Sequence, residues 1–294
     1  MKFNYQFVHS KKQEILLFFC EFFFFIFQIF INISATLKLK KNLQNFFSKD
    51  LKVTILANGP SLESDLKKIS PDDQVFAVNT FPINNNFNKF KPNFICWIDS
   101  MFQVDIEILS EPLRLSITRT FEQLNAIDWK LVLFIPKQAK EIISSRIFNK
   151  NISIVTIPSI KYDFESSFYL KLLSFLRLPP PRINVAVTAM YISIISGVKE
   201  IDLVGADMNR IHSFQVDNKT NTFQMNYVHF SNSNENKINF KDKLKNRKPA
   251  SMYVKLKREA SSFKWYAYIA MMANNLNISL RNKSSNSLID SLER

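Results

Sequence analysis

The sequence predicts an α/β protein, a mostly parallel sheet with helices on both faces, from three observations. Short apolar, β-branched runs alternate with stretches of helical character between residues 51 and 290. Several of these runs stop at a polar residue: Asn58, Asn79, Asp99 or Asp207. Glycine is scarce, only three in 294 residues, against a usual ~7%. Gly59 ends the first strand run, Gly197 follows a helical run and Gly205 lies near the end of a later strand. Each is a position where a β-carbon could obstruct the backbone.

The stretch from Leu51 to Leu62 anchors the chain. Leu51 to Leu56 reads as a buried strand, and Asn58-Gly59-Pro60-Ser61 stops it. Gly59 permits a tight turn and close approach of a ligand to the backbone, and Pro60 cannot extend the strand. Ser61 is a natural N-cap, with Glu63 and Asp65 suited to the first turn of the next helix. Strand, small-residue turn and helix N-terminus together form an arrangement that holds phosphates or nucleotides. A plain turn without a ligand is the alternative.

Composition narrows the partners. A formal net charge of +14 points to an anionic partner: a nucleotide, a membrane surface or an acidic glycan. No basic block interleaved with aromatics marks a nucleic-acid groove, so nucleic acid is not expected. Phenylalanine, with 29 copies, fills the core in place of small residues. Cys20 and Cys96 lie far apart in apolar runs and suggest neither a disulfide framework nor a metal pattern.

Residues 15–31 are apolar except for Glu21 and Gln28, which with Glu14 give a helix one polar stripe. Lys11 and Lys12 precede the run, and Lys38, Lys40 and Lys41 follow it. Basic flanks suit a helix at an anionic membrane surface, and the run is at the short end of the ~20 residues that span a bilayer. A buried or oligomer-forming helix is the alternative. Residues 37–50 read as a polar linker, dividing residues 1–50 from a Rossmann-like domain at 51–290.

Further strands are expected at Gln74–Val78, Asn93–Ile98, Leu131–Ile135 and Ile152–Ile157, with a helix at Gln138–Phe148. Ligands in such sheets bind beyond the carboxyl ends of the strands, where Asn58, Asn79 and Asp99 would form a floor. Residues 162–178 read as helical. Pro179-Pro-Pro181 breaks the chain, and Arg182-Ile-Asn184 leads into a helix at Val185–Ser196 closed by Gly197. Glu200–Val204 is a strand ending in Gly205-Ala-Asp207, where Asp207 serves as functional acid or cap. Residues 208–250 form a polar insertion, the expected lid. It carries His212 and His229, and His229 sits in the aromatic patch Asn226-Tyr-Val-His-Phe230, where a histidine can act as general base. Lys257–Asn274 is the last long helix and Leu276–Leu280 the final strand.

The order of Ile55-Leu-Ala-Asn-Gly-Pro-Ser-Leu62, Val75-Phe-Ala-Val-Asn79 and Gly197-Val-Lys-Glu-Ile-Asp-Leu-Val-Gly-Ala-Asp207 resembles that of the bacterial CMP-sialic-acid-dependent sialyltransferases. Ile278-Ser-Leu and Asn286-Ser-Leu-Ile289 are similar to that family's closing pattern. The opening motif also looks like that of the wider MptE-like group, which includes motility-associated flagellin glycosylation factors and a pterin pyrophosphokinase. The resemblance implies an inverting, metal-independent glycosyltransferase that takes a nucleotide sugar as substrate, with no separate cofactor, and passes the sugar to a surface-glycan or lipid-linked glycan acceptor.

It implies donor binding by Asn58, Asn79, Asp99, Arg182 and Asn184 and catalysis by His229 as base, and the turn and strand-end readings add Gly59, Pro60, Ser61 and Asp207 to the donor site. Asn184-Val185 replaces a Thr-Ser pair of that family, and Asn209 and Phe214 stand about where it has two lid tyrosines. The expected setting is peripheral, at the cytoplasmic face of the inner membrane, with oligomers allowed. The alternatives are an MptE-like pyrophosphokinase using metal at Asp99 and Asp207, and a non-catalytic glycan-assembly protein.

Overall fold

The computed structural model describes residues 11–48, 50, 52–161, 163–164, 166–225 and 251–294. Helix α1 (Lys11–Leu43) precedes β1 (Val53–Leu56), α2 (Leu62–Asp65), β2 (Gln74–Val78), α3 (Phe87–Phe90) and β3 (Phe94–Cys96). Then come α4 (Glu111–Asn125), β4 (Leu131–Pro136), α5 (Lys140–Ser144), β5 (Ile152–Ile157), α6 (Ser167–Phe175) and α7 (Val185–Ser196). The chain ends with β6 (Glu200–Val204), the hairpin β7 (Phe214–Val216) and β8 (Phe223–Met225), α8 (Met252–Asn275) and β9 (Ser279–Asn282).

Seven strands form one sheet in the order β5-β4-β3-β2-β1-β6-β9, and every neighbouring pair is parallel. The fold is the expected Rossmann-like α/β arrangement with helices on both faces. Strand alternation divides the core into two layers. On β4, Val132 and Phe134 join the layer of α1, α6, α7 and α8, while Leu131, Leu133 and Ile135 join that of α2 to α5. Phenylalanine fills the first layer: Phe47 stacks on Phe94 at 3.9 Å between ring centroids, with Phe76 and Phe134 beside them. Helix α7 is buried along its length from Ala186 to Ser196. A helix apolar all round belongs in an interior, and this one packs on β1, β2 and β3.

Several sequence expectations need correction. Residues 37–50 are not a linker throughout, because α1 continues to Leu43, and Leu43 and Phe47 are buried in the core. The polar stripe of α1 faces the domain: Glu21, Gln28, Asn32 and Thr36 are buried. Helix α4 was not expected, although Ile117, Thr120, Phe121 and Leu124 give it a buried face at helical spacing. The last strand is shifted to Ser279–Asn282, and the helix expected at Gln138–Phe148 shortens to Lys140–Ser144. Of the expected lid, residues 208–225 are described and contain a tight turn and the β7–β8 hairpin. His229 lies outside the described residues.

Strands added after β1 run outward to β5 on one side, while β6 and β9 lie on the other. Direction therefore reverses between β1 and β6. In open parallel sheets this reversal opens the crevice in which ligands bind.

Candidate functional site

At the reversal, the turn after β1 lies against the turn after β6. Gly59 N donates to Gly205 O at 2.7 Å, and Ala57 N to Val204 O at 2.9 Å. A β-carbon on Gly59 would fall well inside 3.0 Å of both Asp207 Oδ2 and Gly205 O. Glycine is needed here to admit the Asp207 carboxylate. Gly205 has φ +66°, and a β-carbon there would meet Ala57 O at 2.7 Å.

The Asp207 side chain folds back over this turn, and its Oδ2 accepts from Ser61 N at 3.1 Å. The backbone donors from Gly59 to Leu62 are thereby taken. Gly59 N and Ser61 N are bonded as above, Pro60 has no N–H, and Leu62 N donates to Gly59 O at 3.1 Å. Helix α2 has only four residues, and Ser61 does not cap it; its hydroxyl donates to Asp65 Oδ2 at 2.8 Å. The expected phosphate cradle at Gly59-Pro60-Ser61 is corrected: a carboxylate of the chain occupies it. The signal for this contact is absent from any local pattern, because 146 residues separate Ser61 from Asp207.

The two carboxylates here are held in opposite senses. Asp65 is fully buried, which alone would raise its pKa. Lys68 at 2.6 Å, Ser285 and Ser61 outweigh that burial and hold it below the usual carboxylate range. Asp207 is 1% exposed, and burial pushes it above that range against the Ser61 contacts, with the nearby Asp65 charge adding to the rise. The C-terminal segment clamps the same turn. Ser287 Oγ donates to Ala206 O at 2.6 Å, Ala206 N to Ser284 Oγ at 2.9 Å, and Leu288 N to Asp207 O at 2.9 Å. Sequence reasoning saw this closing segment only as a family pattern; its serines position Asp207.

Asn58 and Asn79 line the adjacent strand ends. Asn58 Nδ2 donates to Val78 O at 3.0 Å, and Asn79 Nδ2 to Asp99 Oδ2 at 2.8 Å. Only the amide nitrogen can make either bond, so each bond fixes which way its amide points. Asn79 adopts φ 48°, a left-handed conformation that asparagine tolerates, and Trp97 Nε1 holds its carbonyl at 2.8 Å. Asn58 Oδ1, Asn79 Oδ1, Asp207 Oδ1 and Asn209 Oδ1 are all buried without a hydrogen-bond partner among the described residues. Such atoms are costly, and Asn58, Asn79 and Asp207 follow the adjacent strands β1, β2 and β6.

The remaining expected residues divide. Asn184 caps α7, its Oδ1 accepting from Ala186 N at 2.9 Å and Val187 N at 3.4 Å, and its Nδ2 reaches Met208 Sδ at 3.5 Å. It therefore touches the residue after Asp207, but its oxygen is spent on the helix. Arg182 lies apart from the floor, half-buried in a groove of about 260 Å³ with Asp163, Ser261, Lys257 and Arg258. Burial lowers its pKa. Among the described residues no cluster of three or more His, Cys, Asp or Glu is placed to hold a metal. Comparison with protein families, with curated proteins and with solved structures finds no match to this chain.

Proposed function

We propose that this chain is an inverting, metal-independent glycosyltransferase that uses a nucleotide sugar. The observation that carries this reading is the floor of unpaired acceptors formed by Asn58, Asn79 and Asp207 at the sheet reversal. Their partners must bring hydrogen-bond donors. Ribose and sugar hydroxyls and an exocyclic base amine bring donors; a phosphate brings acceptors alone. A nucleoside or sugar therefore fits the floor.

The order of motifs adds to this reading and assigns the base to His229, which would take the proton of the acceptor hydroxyl as that oxygen attacks the anomeric carbon. The acceptor is a surface or lipid-linked glycan, and a CMP-linked donor is the first to try. The apolar α1 and the net charge of +14 support work at a membrane surface.

The test is calorimetric titration with CMP-, UDP-, GDP- and dTDP-sugars, followed by transfer assays with His229→Ala and His212→Ala. One donor should bind. His229→Ala should then lose about 10²–10⁴-fold in kcat with donor affinity kept, and His212→Ala should lose little. Transfer that requires a divalent ion and survives His229→Ala would favour a pyrophosphokinase-like site instead.

A further inference from the structure

Helix α1 carries its polarity inside out. Glu21, Gln28, Asn32 and Thr36 are turned into the protein, and Gln28 Oε1 accepts from Lys161 N at 3.0 Å. The opposite side presents phenylalanine to solvent: Phe23 is 70% exposed, Phe27 55% and Phe30 75%. Phe19–Leu43 is long and apolar enough to cross a bilayer, at 25 residues and a mean hydropathy of 1.8. Yet its buried line, from Glu21 to Leu43, lies on the domain along its length. Crossing in this arrangement would carry the polar flank of the sheet domain into hydrocarbon, where unsatisfied polar groups are not tolerated. The exposed side is thus suited to lie in the membrane plane.

Beside α1, where the helix turns basic, a groove of about 260 Å³ opens towards the end of α7 and the start of β9. Leu37, Ile194 and Ile278 supply apolar lining, and Lys40, Arg177 and Lys199 supply positive charge. None of these three cations has an ion-pair partner among the described residues. Arg177 sits at φ 56°, a left-handed conformation unusual for arginine. Its N–H bonds Ser174 O at 3.0 Å, and its carbonyl accepts from Tyr191 OH at 3.2 Å. Tyr191 OH also lies 3.4 Å from Thr36 Oγ1. A phenol has one proton, so Thr36 donates to Tyr191, and the groove rim is tied directly to α1.

We infer that the phenylalanine side of α1 docks in the plane of a membrane and that this groove takes the phosphate and adjoining chain of an anionic phospholipid. Charge favours this occupant over a second copy of the chain. A two-fold contact through α1 would repeat Lys38 and Lys41, both exposed, on both sides of one interface. An anionic surface neutralises them. The inference rests on the membrane-surface part of the proposed function and is independent of the transfer chemistry.

The full chain should be tested by co-sedimentation with vesicles of phosphatidylcholine, alone or mixed with phosphatidylglycerol, with circular dichroism to confirm that each variant is folded. Wild type should bind the mixed vesicles about tenfold or more tightly. Phe23→Ser with Phe27→Ser should abolish binding to both. Lys40→Gln, Arg177→Gln and Lys199→Gln together should remove most of the anionic preference. Removal of the same charge outside the groove, by Lys38→Gln, Lys41→Gln and Lys67→Gln, should preserve most of it. Equal losses in the two triple variants would overturn the lipid groove and leave only a basic surface. Absence of vesicle binding, with a dimer that the phenylalanine substitutions dissolve, would overturn membrane docking in favour of a second copy. Neither failure would touch the transferase reading, which donor titration measures separately.

Discussion

Asp207 occupies the space that a side chain on Gly59 would need, and its Oδ2 bonds Ser61 N at 3.1 Å. The turn that looks like an anion cradle is filled from within. It holds the Asp207 carboxylate at the sheet reversal, with Oδ2 bonded and Oδ1 without a partner among the described residues.

Gly59→Ala should therefore destabilise the protein by about 1–3 kcal/mol through overpacking. Part of that cost is the clash with Asp207, and part is the clash with the Gly205 carbonyl. In urea unfolding, Gly59→Ala combined with Asp207→Gly should be less destabilised than the sum of the single variants, with a coupling above about 0.5 kcal/mol. Additive effects would remove the steric relationship.

Asp207→Asn should separate stability from binding. The folded-state pKa of Asp207 is raised, so its ionised form is disfavoured by folding. Its contribution is favourable below the unfolded carboxylate pKa of ~3.9 and is lost as pH rises through the folded value. Asparagine removes the buried charge and keeps an acceptor for Ser61 N. The variant should melt at or above the wild-type temperature at pH 7, and that advantage should shrink towards pH 4. Donor affinity should fall at the same time, as when a site strained for function is relaxed. A lower Tm at pH 7 would contradict this.

Asp65 behaves in the opposite way. Its pKa is lowered in the fold despite burial, so its stabilisation is present above ~3.9 and lost as pH falls through the folded value. Asp202 follows the same sign: burial opposes its ionisation, but Lys283, Arg281 and Lys52 hold it charged. Acid should unfold the protein below about pH 4. Asp65→Asn should cost about 1–3 kcal/mol at pH 7 and flatten part of the acid limb. An unchanged pH profile in folded Asp65→Asn would assign the limb to other groups.

Much of this was legible locally. Val185–Ser196 reads as a helix between Asn184 and Gly197, and the structure places both residues as its caps, Gly197 at φ 94°. The strand Glu200–Val204 and the polar ends at Asn58, Asn79 and Asp207 follow from apolar runs stopping at turn formers. What escaped is tertiary. Asn184 before a helix is a cap by local chemistry, and treating it as a ligand contact overlooked that its oxygen is used. Helix α4 was missed where the β-branched Ile117, Thr118 and Thr120 weaken local helix propensity, and packing of Phe121 and Leu124 restores it; Pro112 lies in its first turn, where proline is tolerated. Apolar residues surround α1 so completely that which side faces the domain is set by the few polar groups it buries.

The central claim, that the strand-end acceptors form a nucleotide-sugar floor, is tested most directly by titrating donors into wild type, Asn58→Ala and Asn79→Ala. Each asparagine should contribute about 1–3 kcal/mol to the affinity of the one donor that binds, with the Tm nearly kept. Binding of one nucleotide sugar, weakened in both variants, is the result this account predicts. Unchanged donor affinity in both folded variants, or no binding of any nucleotide sugar by wild type, would contradict it.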